Sequence, residues 1–565
     1  MKVSADELAL TFQYAIDRLV RRLRRGAPPT RTRRRLLIVQ IDGLSRAVLK
    51  QGLACGRAPF IKQMLESGNY RMESMSVSLP TSTPAFQMAT FYGVRPDIPG
   101  FHYYSRARGT DIHFPRSGHA AWVEAQHANG RPGILQGGSA YGCCFTGGAD
   151  NNLFTFASLT KPSGRGVISA LSPFVVVTWV TVKNIALSIR EIAKEGLQLI
   201  LHPKQAGPGW RWLKLKIVMS IWVRHFFTMA VSRDLYEGVP AIYVNYLGYD
   251  EVSHAYGPGS DRAMLALQEV DQSIEHLLTV MRRVPEHQYD AYILADHGQS
   301  ACTPYSDLMQ GQQLERWIFE QFLNPGKATL PDKARVGLWQ GLRKRQVETK
   351  GMIQRFMNYL DEDYLRRPDP EAHEQDGVRV ISAGPNAFLY AKDVTEPLDA
   401  DAVEQRFPGL AKALSSSPGI AFVLLRSANG SLCWWQGESC ELSPTQPGPF
   451  AGREDMPLVL EGIKSLMNMP SAGDLVIYGT DSPDGYVSFI REHGAHAGPA
   501  ASEMHTFIVY PANTIVPSPI NHPVQLYGHF IRYQQTHQAN CGMESSDIAS
   551  RANPAARLRS SSVAE

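Results

Sequence analysis

Cysteine is scarce in this chain. There are seven in 565 residues, an odd count with no CxxC and no spacing suited to a metal. Cys143 and Cys144 are adjacent, and six residues separate Cys433 from Cys440. That usage argues for a reducing compartment, with the thiols serving as core packing. Charge of one sign is also lacking: the net charge is +4, too small for this length to suggest a nucleic-acid partner. The opening residues lack the uninterrupted apolar region and small-residue cleavage site of a signal peptide, which points to a cytoplasmic protein. Long apolar runs are absent too. Gly166 to Val182 carries no charge, but Pro173 interrupts it and Lys183 closes it, short of the ~20 residues that span a bilayer. No internal repeat is present.

What is present suits a large α/β protein: 44% hydrophobic and 19% charged residues, and a length that calls for two domains or one with insertions. Residues 1–35 form a basic leader. Leu8, Phe12, Ile16, Leu19 and Leu23 fall on one helical face with arginines opposite, a pattern compatible with lying on a membrane surface or docking on the protein itself. Residues 36–537 read as one large domain with two insertions. The first, about 105–235, is expected to be helical; its stretches 166–182 and 210–232 are read as amphipathic helices packed on the domain or lying on a membrane. The second, about 306–375, is expected to be a helical cap. Residues 538–565 are small, polar and expected to be disordered.

Leu36 to Ile41 is an apolar run that delivers Asp42 and Gly43 at its carboxyl end. Buried parallel strands read this way, and ligands of open α/β sheets bind just beyond such ends. Capping the next helix would explain a single Asp. Two further strand ends weaken that explanation: Ala241 to Tyr246 leads to Asp250 and His254, and Asp290 to Ala295 leads to Asp296 and His297. Three carboxylates crowded at one sheet edge repel one another, and bound cations reverse that cost. Carboxylate oxygen and imidazole nitrogen are donors that zinc accepts. A late stretch, Arg491 to Gly498, adds His493 and His496, either of which could reach a metal. Thr81, Ser82 and Thr83 form a hydroxyl cluster at a strand-to-helix turn between Pro80 and Pro84. A hydroxyl there serves as a helix cap or as a metal-activated nucleophile. The residues alone do not choose among the three.

Ile41-Asp42-Gly43-Leu44, Pro80-Thr81-Ser82-Thr83, Asp250 to His254 with Tyr256-Gly257-Pro258, and Asp296-His297-Gly298 occur in the order found in the alkaline phosphatase superfamily. The chain most resembles its type I phosphodiesterase, or nucleotide pyrophosphatase/phosphodiesterase, branch. The resemblance covers roughly 36–104, 239–300 and 470–510. It implies an α/β fold: a three-layer sandwich with a mostly parallel central sheet and helical insertions. It implies two divalent ions of the zinc type, one held by Asp42, Thr83, Asp296 and His297, the other by Asp250, His254 and a late histidine. The family's nucleophile precedes a glycine by ten residues, as Thr83 precedes Gly93, and its Gly-x-His-Gly pattern favours His496 over His493. Two departures stand out. The family's Phe-Pro-Asn-His after the nucleophile is Pro84-Ala85-Phe86-Gln87 here, and its phosphate-holding asparagine falls on Tyr104, whose phenol could donate instead. The sulfatase branch is disfavoured, because Phe86 stands where its arginine would be.

The expected activity is therefore metal-dependent hydrolysis of a phosphodiester by in-line displacement, with Thr83 attacking phosphorus. The substrate would be a phosphoester small molecule or a lipid headgroup, and peripheral membrane attachment is compatible with it. A phosphomonoesterase or phosphotransferase of the same superfamily is the nearest rival. A membrane-associated module with a structural or degenerate metal site is the rival of another class.

Overall fold

The computed structural model describes residues 34–114, 116–158, 174–201, 213, 217–323, 372–428 and 430–534. The basic leader, most of the 306–375 insertion and the tail from 538 lie outside the described residues.

The centre is a seven-stranded sheet. Its strands in chain order are β1 (Arg35–Ile41), β2 (Tyr70–Ser76), β3 (Ser139–Tyr141), β4 (Asn151–Leu153), β5 (Ala241–Tyr246), β6 (Tyr289–Leu294) and β7 (His505–Pro511). Their spatial order is β2-β7-β6-β1-β5-β3-β4. Only β7 runs against the rest. The sheet is thus mostly parallel, as expected, and β1 lies at its middle between β5 and β6. Within the stretch expected as a helical insertion, Ser139–Tyr141 and Asn151–Leu153 instead extend this sheet. They are only three residues each, too short for an alternating pattern to register.

Strand alternation divides the core. Leu36 and Ile38 point to one side, with Phe86 and Phe91 of helix α1 (Thr83–Tyr92). Leu37, Val39 and Ile41 point to the other, where Leu267, Ile274 and Leu277 of the long helix α5 (Asp261–Arg283) cover them. Gln40 and Asp42 follow Leu36 and Ile38 by parity and so face α1. Ser45, not Asp42, caps the helix Arg46–Ala54: its hydroxyl accepts from the Val48 N–H at 3.2 Å. Capping therefore does not explain Asp42. Helix α5 is capped likewise, Ser260 accepting from Ala263 N–H at 3.2 Å.

A second seven-stranded sheet was not foreseen as a sheet. It is antiparallel and runs, in spatial order, Ala372–Gln375, Val378–Ser382, Asn386–Ala391, Leu475–Tyr478, Phe422–Ser427, Gly430–Trp435 and Glu438–Glu441. Phe388, Tyr390, Phe422 and Tyr478 on one face join the core of α1, while Val380, Leu389 and Val423 on the other pack against Trp317 and Leu414. Among the described residues, no helix is long and apolar enough to cross a membrane. The remaining helices used below are α2 (Phe174–Leu201), α3 (Arg224–Glu237) and α4 (Gly248–Tyr256).

Candidate metal centre

Three neighbouring strands feed one place. Asp42 leaves the end of β1, Asp250 and His254 lie on α4 after β5, and Asp296 and His297 follow β6. His496 arrives from the loop after the short strand Gly494–Ala495. Ligand-type atoms of Asp250, His254 and His496 lie within 4.8 Å of one another, and so do those of Asp42, Asp250 and His297. Asp250 is common to both groups and stands between them. Asp296 flanks the second: its Oδ2 is 3.4 Å from His297 Nε2 and is otherwise buried without a hydrogen-bond partner.

The hydroxyl cluster separates by direction. Thr81 Oγ1 donates to Gly498 O and Glu503 Oε2, each at 3.1 Å. Ser82 Oγ is buried without a partner. Thr83 Oγ1 turns to the metal-type cluster, 3.4 Å from Asp42 Oδ1 and 3.2 Å from His297 Nε2. It stands in the first turn of α1, whose N-cap Ser82 is extended and makes no side-chain cap. Gly93, left-handed at φ +66°, ends that helix in the manner glycines favour.

All three histidines engage Nδ1 with the protein. His254 Nδ1 lies 2.8 Å from both Glu492 Oε2 and Gly494 O, His297 Nδ1 3.1 Å from Gly298 O, and His496 Nδ1 2.8 Å from Thr81 O. Each Nε2 is left for the centre. Metal-binding histidines are oriented in this way, by an acceptor on the far ring nitrogen. Asp42 Oδ2 accepts from Asn245 Nδ2 at 2.6 Å, and Gln299 Nε2 donates to Asp250.

The electrostatics of the cluster suit a bound cation. Burial, then Asp296 and Asp250, push the Asp42 carboxyl well above its ordinary value. Burial carries Asp296 up to about 7. Burial also drives Asp250 upward, but the charge and hydrogen bond of His254, whose own value Asp250 and Glu492 raise against burial, hold it below the usual carboxylate range. Burial keeps His297 and His496 neutral, lowered to about 4 and about 3. Neutral imidazoles and closely spaced carboxylates are what a divalent cation requires. The donor set, the outward Nδ1 bonds and the orphaned Asp296 Oδ2 fit a metal.

His493 is exposed, and its backbone N–H donates to His254 O at 2.8 Å; of the two late histidines, His496 is the one whose ring joins the cluster, stacked on His297 with centroids 3.8 Å apart. Tyr104 is buried, and its described contacts are with Tyr390 and Lys392, not with Thr83 or the carboxylates. The sequence reading missed Asn245, Glu492, Gln299 and Glu503. Asn245 had a signal: it is a lone amide inside an otherwise apolar strand, in register with Gln40 of β1.

A sequence profile described as type I phosphodiesterase / nucleotide pyrophosphatase matches residues 36–408. No curated protein sequence matches. Among solved structures, the chain is similar to phosphonoacetate hydrolase from Sinorhizobium meliloti 1021 in complex with phosphonoformate, at 13% identity and a TM-score of 0.43, over 90% of this chain and 98% of that one. It is similar also to murine ectonucleotide pyrophosphatase / phosphodiesterase 5 in complex with AMP, at 11% identity and a TM-score of 0.41, over 88% and 94%. With the profile spanning most of its length, the chain belongs to the type I phosphodiesterase / nucleotide pyrophosphatase family of hydrolytic enzymes.

Proposed function

We propose that the chain hydrolyses phosphodiesters with Thr83 as nucleophile at a centre of two divalent ions, zinc by its mixed nitrogen and oxygen donors. Asp42, Thr83, Asp296 and His297 would hold one ion, and Asp250, His254 and His496 the other. When bound, the ions would neutralise the phosphoryl oxygens and lower the barrier to attack by the hydroxyl. The observation that carries this reading is Thr83 Oγ1, lying 3.4 Å from Asp42 Oδ1 and 3.2 Å from His297 Nε2.

Thr83 Oγ1 adds to phosphorus, and the ester bond to the leaving alcohol breaks, the hydroxyl proton departing with that alcohol. Water then hydrolyses the threonyl ester and restores the hydroxyl. Position at the first turn of α1 also directs backbone N–H groups toward the phosphate. Asn245 and Gln299 fix the Asp42 and Asp250 carboxylates, so the donors do not reorganise during the reaction.

The test is hydrolysis of bis-p-nitrophenyl phosphate. Thr83→Ala is expected to lower turnover by roughly three orders of magnitude or more, while Thr83→Ser keeps measurable activity. Full activity in Thr83→Ala overturns the nucleophile. Parallel rates on p-nitrophenyl phosphate decide between diester and monoester.

A further inference from the structure

Helix α2 carries its faces in the inverse of the usual order. Asn184 and Glu191 are buried. That polar side meets the π-helical turn Ile217–Val223 and the start of α3: Trp222 Nε1 donates to Ser188 Oγ at 3.0 Å, and the His225 ring pairs with Asn184 Oδ1. Opposite it, Val182, Ile185, Ile189 and Ile192 are exposed at steps of three, four and three. Leu197 extends the stripe, and Ile189 keeps 61% of its surface. Ordinary surface helices do the reverse, hiding the apolar stripe and presenting the polar one. A contiguous exposed apolar patch marks an interaction site.

Charge identifies the occupant. Lys183, Arg190 and Lys194 run along one edge of the stripe, at steps of seven and four, which keeps them on one side of the helix. With Arg224 and Arg262 they line a cavity of about 670 Å³ that Glu191, Glu269 and Glu275 also line, Arg190 lying 3.8 Å from Glu191, so the cations outnumber the carboxylates by five to three. The sequence leading in, Gly166 to Val182, has no charged residue. An aliphatic stripe edged by cations complements an anionic lipid surface. No helix of the described residues can cross a bilayer, so such a helix lies in the plane of the surface.

We propose that α2 docks the protein on anionic membranes, with Val182, Ile185, Ile189 and Ile192 sunk into the headgroup boundary and Arg190 and Lys194 at the level of the lipid phosphates. This goes beyond the hydrolase reading and does not depend on it.

The experiment is co-sedimentation of the full chain with phosphatidylcholine vesicles, with and without phosphatidylserine. Binding is expected only with phosphatidylserine, weakening as salt is raised. Ile185→Asp/Ile189→Asp should lower the partition coefficient by about tenfold or more. Arg190→Ala/Lys194→Ala should lower it by about tenfold or more. Both variants should keep the Tm of the unaltered chain, which certifies their folding whether or not the diester is a substrate. Three results overturn the proposal: no binding of the unaltered chain to phosphatidylserine vesicles, undiminished binding of the Ile185→Asp/Ile189→Asp variant, or a dimer without vesicle binding that the same variant dissociates.

Discussion

A methyl group on Gly43 would lie 2.2 Å from Asp250 Oδ1, and Gly43 holds φ at +71°. The glycine after Asp42 is therefore what lets the carboxylate from α4 enter the centre. Gly43→Ala is expected to displace Asp250, the residue common to both ligand groups, and to weaken zinc binding by at least about tenfold. The positive φ adds about 1–2 kcal/mol of instability. Gly56→Ala supplies the control, since its φ is +74° with open space around it. It should show a comparable fall in stability with zinc affinity unchanged. Equal zinc affinity in Gly43→Ala, measured by competition with a chelator, refutes the packing argument.

Burial, then the neighbouring Asp296 and Asp250 carboxylates, push Asp42 upward, a cost that a bound cation would offset. Adding zinc to chelator-treated protein should raise Tm, by the equivalent of about 4 kcal/mol when free metal is a thousandfold above Kd. Asp42→Asn should narrow that gain from both ends. It relieves repulsion without metal and removes a donor with it. An unchanged zinc-dependent rise in Tm for this variant would exclude Asp42 as a ligand.

Thr81 ties the turn that carries Thr83 to the loop that carries His496. Its hydroxyl donates to Gly498 O and Glu503 Oε2 and accepts from Ala497 N–H at 2.9 Å, while its carbonyl accepts from the His496 ring. Burial raises Glu503 to about 7. Thr81→Val removes these hydroxyl bonds and should lower kcat by about tenfold with KM nearly constant, at a stability cost of about 1–3 kcal/mol. Thr81→Ser should restore kcat. A change confined to stability would assign Thr81 a structural role alone.

His529 lies away from the centre, buried with its Nε2 2.9 Å from the Tyr292 hydroxyl. Burial, then the Arg532 charge, lower its imidazole to about 4. Below pH ~6.5 the unfolded chain takes up this proton first. Stability contributed by the neutral ring is therefore complete above pH ~6.5 and falls as pH drops toward 4, by up to about 1.4 kcal/mol per pH unit. Denaturant titrations of His529→Gln across this window should show a flatter pH profile than the unaltered chain. Parallel profiles would refute it.

Asp42, Asp250 and Asp296 were legible because each follows an apolar run, and runs and their ends are local. Thr83 needed the family resemblance, since three adjacent hydroxyls differ only in where the turn aims them. Glu492 and Glu503 were invisible: their partners His254 and Thr81 lie far off in the chain. The pairing of Asn386–Ala391 with Leu475–Tyr478 was not legible, because periodicity reveals a strand but not its partner. For α2, spacing shows which residues share a face and is silent on which way that face points.

The centre draws on both ends of the catalytic domain. β1 finds its neighbours only when β5 and β6 exist, and His496 is anchored by a carbonyl of residue 81. A nascent chain lacks the His496 donor until residue 496 has been made, so on the ligand set proposed above a fragment ending before it is expected to be inert.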